Sequence, residues 1–151
     1  MKVHQHVYFA LRSEHMSAAV MTARLGIEPD EIKVRASRKT DPPRPVCHSW
    51  KVNAPEQDLG VDDMILTLID HLEPHAEAIG ALAKELDRNE PGRTAVLQVV
   101  RYFHDAEDGI LPLPEPPVSH RPLGWHFDRR VLNFLQVTCA ELSVDEYGDA
   151  H

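Results

Sequence analysis

Val3, Gln5, Val7, Phe9 and Leu11 alternate with His4, His6, Tyr8, Ala10 and Arg12. A period of two over ten residues predicts a strand with one core face and one wetter face. Ser17 can then cap a helix whose Ala18, Met21, Thr22 and Leu25 recur at 3.6-residue spacing. Gly26 suits the left-handed residue that ends such a helix, and Pro29 prevents its continuation. A strand-like run from Ile32 follows. The same order recurs at the C-terminal end, as Trp125 to Phe127, Asp128 to Thr138 and Glu141 to Tyr147. Strand–helix–strand at both ends suggests two lateral parts of one sheet.

Between these ends, Cys47 to Val52 reads as a strand anchored by Trp50. Val61, Met64, Ile65, Leu68, Ile69 and Leu72 trace one apolar stripe over three turns, with Asp62 and Asp63 favourably placed at the helix start. Pro74 breaks that helix and suits the first position of a second, whose face is Ala76, Ile79, Leu82, Ala83 and Leu86. Thr94 to His104 is nearly continuous in apolar and β-branched residues, the mark of a central strand covered on both faces. Residues 105–122 hold five prolines and predict an exposed proline-rich loop. The expected fold is a single α+β domain over residues 1–151. Its sheet is mixed and mainly antiparallel with helices on one face, compatible with two ferredoxin-like halves.

A net charge of −8 favours solubility and opposes generic binding to nucleic acid. The charge is uneven. Lys33, Arg35, Arg38, Lys39 and Arg44 face only Asp41 within one proline-stiffened segment, giving it +4 and leaving the remainder near −12. A stiff cationic loop loses little entropy on binding an anion, and Trp50 beside it could supply a stacking face. Arg35, Arg38, Lys39, Arg44 and Trp50 are therefore the candidate binding residues, for a small anionic ligand, an acidic protein or a second copy of the chain. The plain alternative is a solvated loop in ordinary ion pairs. No apolar run approaches the roughly 18 residues of a membrane span, and the first residues lack a signal-peptide pattern. The expected location is the cytoplasm, with no membrane partner.

Chemistry is sparse. Phosphate-loop, dinucleotide and serine-elbow motifs are absent, as is His-Glu-x-x-His. No cofactor is expected. His4 and His6 share one strand face and could hold a metal if His104 or His126 supplied a third ligand. That defines an alternative, a small metal-binding protein or metal-dependent enzyme. His71 and His75 have the spacing of a helical metal pair, which Pro74 spoils. Cys47 and Cys139 are expected to be small buried apolar residues. Strong acidity outside the basic loop supports a second alternative, an immunity-type protein neutralising a basic toxin. With aromatics at 6%, no stacking platform for nucleic acid is evident. The leading reading is a non-catalytic binding or interaction domain.

Several blocks carry a family resemblance. Tyr8-Phe9 in the first strand, Leu25-Gly26-Ile27-Glu28-Pro29 closing the first helix, Trp50 after the basic loop, and Leu142-Ser143-Val144-Asp145 with Tyr147 together resemble the bacterial "domain of unknown function 4279" family. The Leu-Gly-Ile-Glu-Pro block is the most specific of them. The resemblance covers almost the whole chain. It implies a small bacterial α+β domain and no activity.

Overall fold

In the computed structural model the alternating N-terminal segment forms one long strand, β1 (Lys2–Ser13). The structure describes residues 2–39, 41–55, 59–92, 94–104 and 124–148, so the proline-rich segment expected at 105–122 lies outside the described residues. Helix α1 (Ala18–Leu25) starts at Ser17, whose hydroxyl accepts the Val20 N–H at 3.3 Å, and ends at Gly26 with φ of 67°. Only a residue without Cβ adopts that conformation at no steric cost. Short β2 (Glu31–Lys33) leads through the basic loop to β3 (His48–Asn53). Helix α2 (Val61–Leu72) gives way at Pro74 to a single 3₁₀ turn, Glu73–His75, and then to α3 (Ala76–Asn89). Strand β4 (Ala95–His104), helix α4 (Arg129–Thr138) and strand β5 (Glu141–Gly148) complete the order.

The five strands lie in the order β2-β3-β1-β4-β5. All neighbours are antiparallel except β4 and β5, whose parallel pairing follows from the long crossover through α4. The expected mixed, mainly antiparallel sheet is present. Two details differ. The first strand is not lateral but central, paired with β4 along Lys2 to Leu11 and with β3 along Tyr8 to Ser13. And Trp125 to Phe127 is not a strand. Its two rings pack on each other at 5.2 Å and against the core, while the His126 N–H is held by Asp62 at the start of α2. Packing against a helix end, rather than a sheet edge, satisfies this segment. The C-terminal half is thus a β4–α4–β5 crossover instead of a second copy of the N-terminal unit.

The core lies on one side of the sheet. It takes Val7, Phe9 and Leu11 from β1, Ala95, Leu97 and Val99 from β4, and Trp50 and Val52 from β3, with the predicted stripes of α2 and α3 against them. Phe9 meets Phe134 of α4 edge to face at 5.8 Å. Ala10 and Val96 are buried on the opposite side and do not join this cluster. In β4, Ala95 through Val99 are buried at both parities, as expected for a central strand; beyond them Arg101 stays buried while Tyr102 and His104 are exposed. The cysteines depart from expectation. Cys47 is partly buried, and Cys139 is exposed because it occupies the left-handed cap of α4 at φ 55°.

Gly80 shows how tightly the helices meet. A Cβ at this position would overlap the carbonyl oxygen of Val137 in α4. In an exposed helix, glycine to alanine stabilises by about 1 kcal/mol. Here the sign reverses: Gly80→Ala should lower the unfolding free energy by about 1–3 kcal/mol in a denaturant titration. An equal or raised stability would contradict the close approach of α3 and α4.

Candidate functional site

Because side chains alternate along a strand, the face of the sheet turned away from the helices collects the even-numbered residues of β1 and β4. Register brings His4 opposite Tyr102, His6 opposite Val100, and Tyr8 between Gln98 and Asn53. Across β4, Tyr102 pairs with Tyr147 of β5, and on the other side Lys51 pairs with Glu31. The chain contains three tyrosines, and all three stand on this face. The helical core clusters on the opposite side, and α2 reaches the edge of this face only through Met64.

The rings form a row across three strands. Tyr147 stacks on Tyr102 at 5.1 Å and 17°, His6 approaches Tyr102 edge-on at 6.4 Å, and His4 meets His6 edge-on at 4.4 Å. Tyr102 is 36% exposed and Tyr147 51%, so these are rings turned to solvent rather than core residues. Beside the row lies a polar cluster. Lys51 Nζ donates to Glu31 Oε2 at 2.9 Å and sits 4.2 Å from the centre of the Tyr8 ring. Asn53 Nδ2 donates to Glu31 Oε1 at 3.3 Å, and the Asn53 N–H to Asp30 at 2.7 Å. Further along, Gln98 Nε2 donates to Asp145 Oδ2 at 3.0 Å and fastens β5 to β4. A cavity of about 330 Å³ opens between the row and the cluster, with His6, Tyr8, Tyr102, Lys51, Glu31 and Asn53 among its lining residues.

The hydrogen bond from Lys51 holds the Glu31 carboxyl below the usual carboxylate range, with further help from the Lys51 charge and Asn53 against the opposing effect of partial burial. A carboxylate so held is a poor proton shuttle near neutrality.

Among the residues singled out by sequence, Trp50 is wholly buried, its Nε1–H donated to Thr22 of α1 at 3.2 Å. Its ring offers no face to a ligand. Its indole fills the core because β3 points it toward the helices. Arg35 is drawn to Glu14, donating to its carbonyl at 3.2 Å, with the carboxylate at 3.9 Å. Arg38, Lys39 and Arg44 are exposed and form no ion pair with any described residue. The loop backbone is braced by two rungs, Ala36 N–H to Pro45 and Arg44 N–H to Ser37. It lies at the His48 end of β3, whereas the cavity lies at the Asn53 end.

His4 and His6 are together as expected. Of their nominated third ligands, His126 is engaged by Asp62 through both its N–H and its Nδ1, and His104 stands at the end of β4 on the His4 face. Among the described residues no group of three His, Cys, Asp or Glu side chains is arranged to hold a metal ion. Lys51, Glu31, Asn53, Tyr102 and Tyr147 escaped the sequence reading. The available signal was parity: each tyrosine sits at a strand position out of phase with the apolar core residues.

Glu31 gives this cluster a pH signature. Its pKa in the folded protein lies below the ordinary value of 4.5, so its contribution to stability is complete above that pH and disappears as pH falls through the folded value. Lys51→Met should bring the carboxyl back toward its ordinary range. Unfolding free energies measured between about pH 6 and pH 3 should then fall less steeply in the variant than in the parent. Identical slopes would mean that Lys51 does not hold Glu31.

A family model described as "Domain of unknown function (DUF4279)" matches residues 1–149. No curated protein matches the chain, and no solved structure does. The match begins at the first residue and takes in every strand and helix described above, including both ends of the ring row. The chain belongs to the DUF4279 family.

Proposed function

We propose that this protein is a non-catalytic binding domain that presents the tyrosine–histidine face of its sheet to a ligand or partner. The observation that carries the reading is the gathering of all three tyrosines, with His4 and His6, on the side away from the helical core. Tyrosine combines a large apolar ring with a polar tip and loses little conformational freedom on binding, so it recurs at recognition surfaces. Exposed rings held against one another form a preorganised aromatic surface at little entropic cost. The Lys51–Glu31 pair beside them suits binding better than proton transfer, because Glu31 is held ionised.

A second reading concerns the basic loop. Arg38, Lys39 and Arg44 stand on a backbone fastened by its own rungs and are not neutralised by described carboxylates, which supports capture of an anion or an acidic partner. The two surfaces lie at opposite ends of β3 and could act separately. The metal and immunity-type readings gain less support. The first has no third ligand among the described residues. The second relies on an acidic surface, whereas the register places Arg12, Lys33 and Lys51 on the ring face along with Glu31, Glu141 and Asp145.

One experiment addresses both surfaces. In a ¹⁵N-labelled sample titrated with a mixed fragment library, hits should shift amides of residues 4–8, 98–102 and 143–147. Hits confined to other regions would sink the ring-face reading. In the same sample, pyrophosphate should shift amides of residues 35–44, and the Arg38→Ala/Arg44→Ala variant should lose that response. A response that survives both substitutions would remove the loop proposal.

A further inference from the structure

We infer that the cavity between the ring row and the Lys51 cluster takes an uncharged planar nitrogen heterocycle of the nucleobase kind. The inference rests on the reading of this face as a binding surface and adds the class of ligand.

Size comes first. At about 330 Å³ the cavity is near the lower limit for small-molecule sites, which suits one ring system with few substituents. Its walls are aromatic. His6 and Tyr102 stand at 78° to one another, and Tyr8 is fixed by the ammonium of Lys51 4.2 Å from its ring centre. Val100 and Met64 add apolar surface. Rings held in fixed, non-parallel planes favour a flat π-system, which can stack on one and meet another edge-on.

The polar rim chooses among flat ligands. Lys51 and Glu31 neutralise one another, so the rim has no net charge with which to balance an ionised ligand. Lys51 has three N–H donors and gives one to Glu31. Asn53 gives a side-chain N–H to Glu31, and no described residue donates to its side-chain oxygen Oδ1. A spare donor therefore stands beside a spare acceptor. That pairing complements an edge that offers an acceptor next to a donor, as the ring nitrogens, carbonyls and amino groups of nucleobases do. With Lys51 already paired to Glu31, the rim has no spare positive charge for a phosphate. A free base or nucleoside fits this site better than a nucleotide or a nucleic acid strand.

Titration of the ¹⁵N-labelled protein with adenine, adenosine, AMP and glucose tests this. Adenine and adenosine should produce saturable shifts at the Asn53 side-chain amide and at amides 6–8, 51–53 and 100–102. AMP should bind several-fold more weakly than adenosine, and glucose should not shift these signals. Asn53→Ala and Tyr102→Leu should each weaken adenosine about tenfold, a loss of about 1.4 kcal/mol. Whichever variant keeps the parental melting temperature decides the comparison. Tighter binding of AMP, equal response to glucose, or no cavity shift with either adenine compound would overturn the inference. If those failures occur while library fragments still map to the ring face, only the ligand class falls; if fragments also avoid the face, the binding-surface reading falls with it.

Discussion

The arrangement depends on the pairing of β1 on both of its edges. Held by β4 along its first ten residues and by β3 along its last six, β1 cannot slip by one position without exchanging its two faces. In the observed register Val7, Phe9 and Leu11 enter the core, and His4, His6 and Tyr8 stand opposite. One slipped residue would drive imidazoles and a phenol into the helices and leave Phe9 in water. The burial of Phe9 and Leu11, each worth roughly 2–3 kcal/mol, therefore also holds the rings of the other face in place. Core packing and site geometry are two results of one register.

Beyond β1 the site is built by neighbours distant in sequence. Tyr147 reaches Tyr102 because β5 returns parallel to β4 through α4, and the Gln98–Asp145 hydrogen bond fixes that edge. On the other side of the sheet the same pair of strands is tied by Arg101, which is 6% exposed and bonds Glu146 at 2.8 Å. A charged hydrogen bond to a buried guanidinium is among the stronger single ties available. Edge strand β5 is thus fastened on both faces, and the outermost ring of the row sits on a supported platform. Lys51 plays a comparable part at the opposite side, where one ammonium joins β3 to Glu31 of β2 and to the Tyr8 ring of β1.

Much of this was legible residue by residue. The α2 stripe, the Ser17 cap, Gly26 and the break at Pro74 are local features, and each falls where periodicity and backbone chemistry put it. At Trp125 to Phe127, alternation over three residues fits equally a strand and the pair of rings packed beside a helix end that the fold contains. Cys139 was expected inside because cysteine is often buried, yet it serves as a left-handed cap, a position chosen by backbone geometry. Trp50 is near the basic loop in sequence, but its strand parity sends it to the core. The ring row was invisible for a different reason. Low aromatic content counts residues over the whole chain, whereas a platform depends on which strands are neighbours, and strand order is not written in local pattern. The histidine face was half seen, because His4, His6 and Tyr8 share one strand. Tyr102 and Tyr147 joined them only through pairing.

Adjacent residues of the central strand offer the most direct test of this division. Phe9 and Tyr8 have rings of similar size, belong to the same strand and differ only in the face they serve. Equilibrium denaturation should show Phe9→Ala losing about 3–5 kcal/mol and Tyr8→Ala about 1 kcal/mol or less. A loss for Tyr8→Ala as large as that for Phe9→Ala would mean that the tyrosine face is a second core, and would contradict the account.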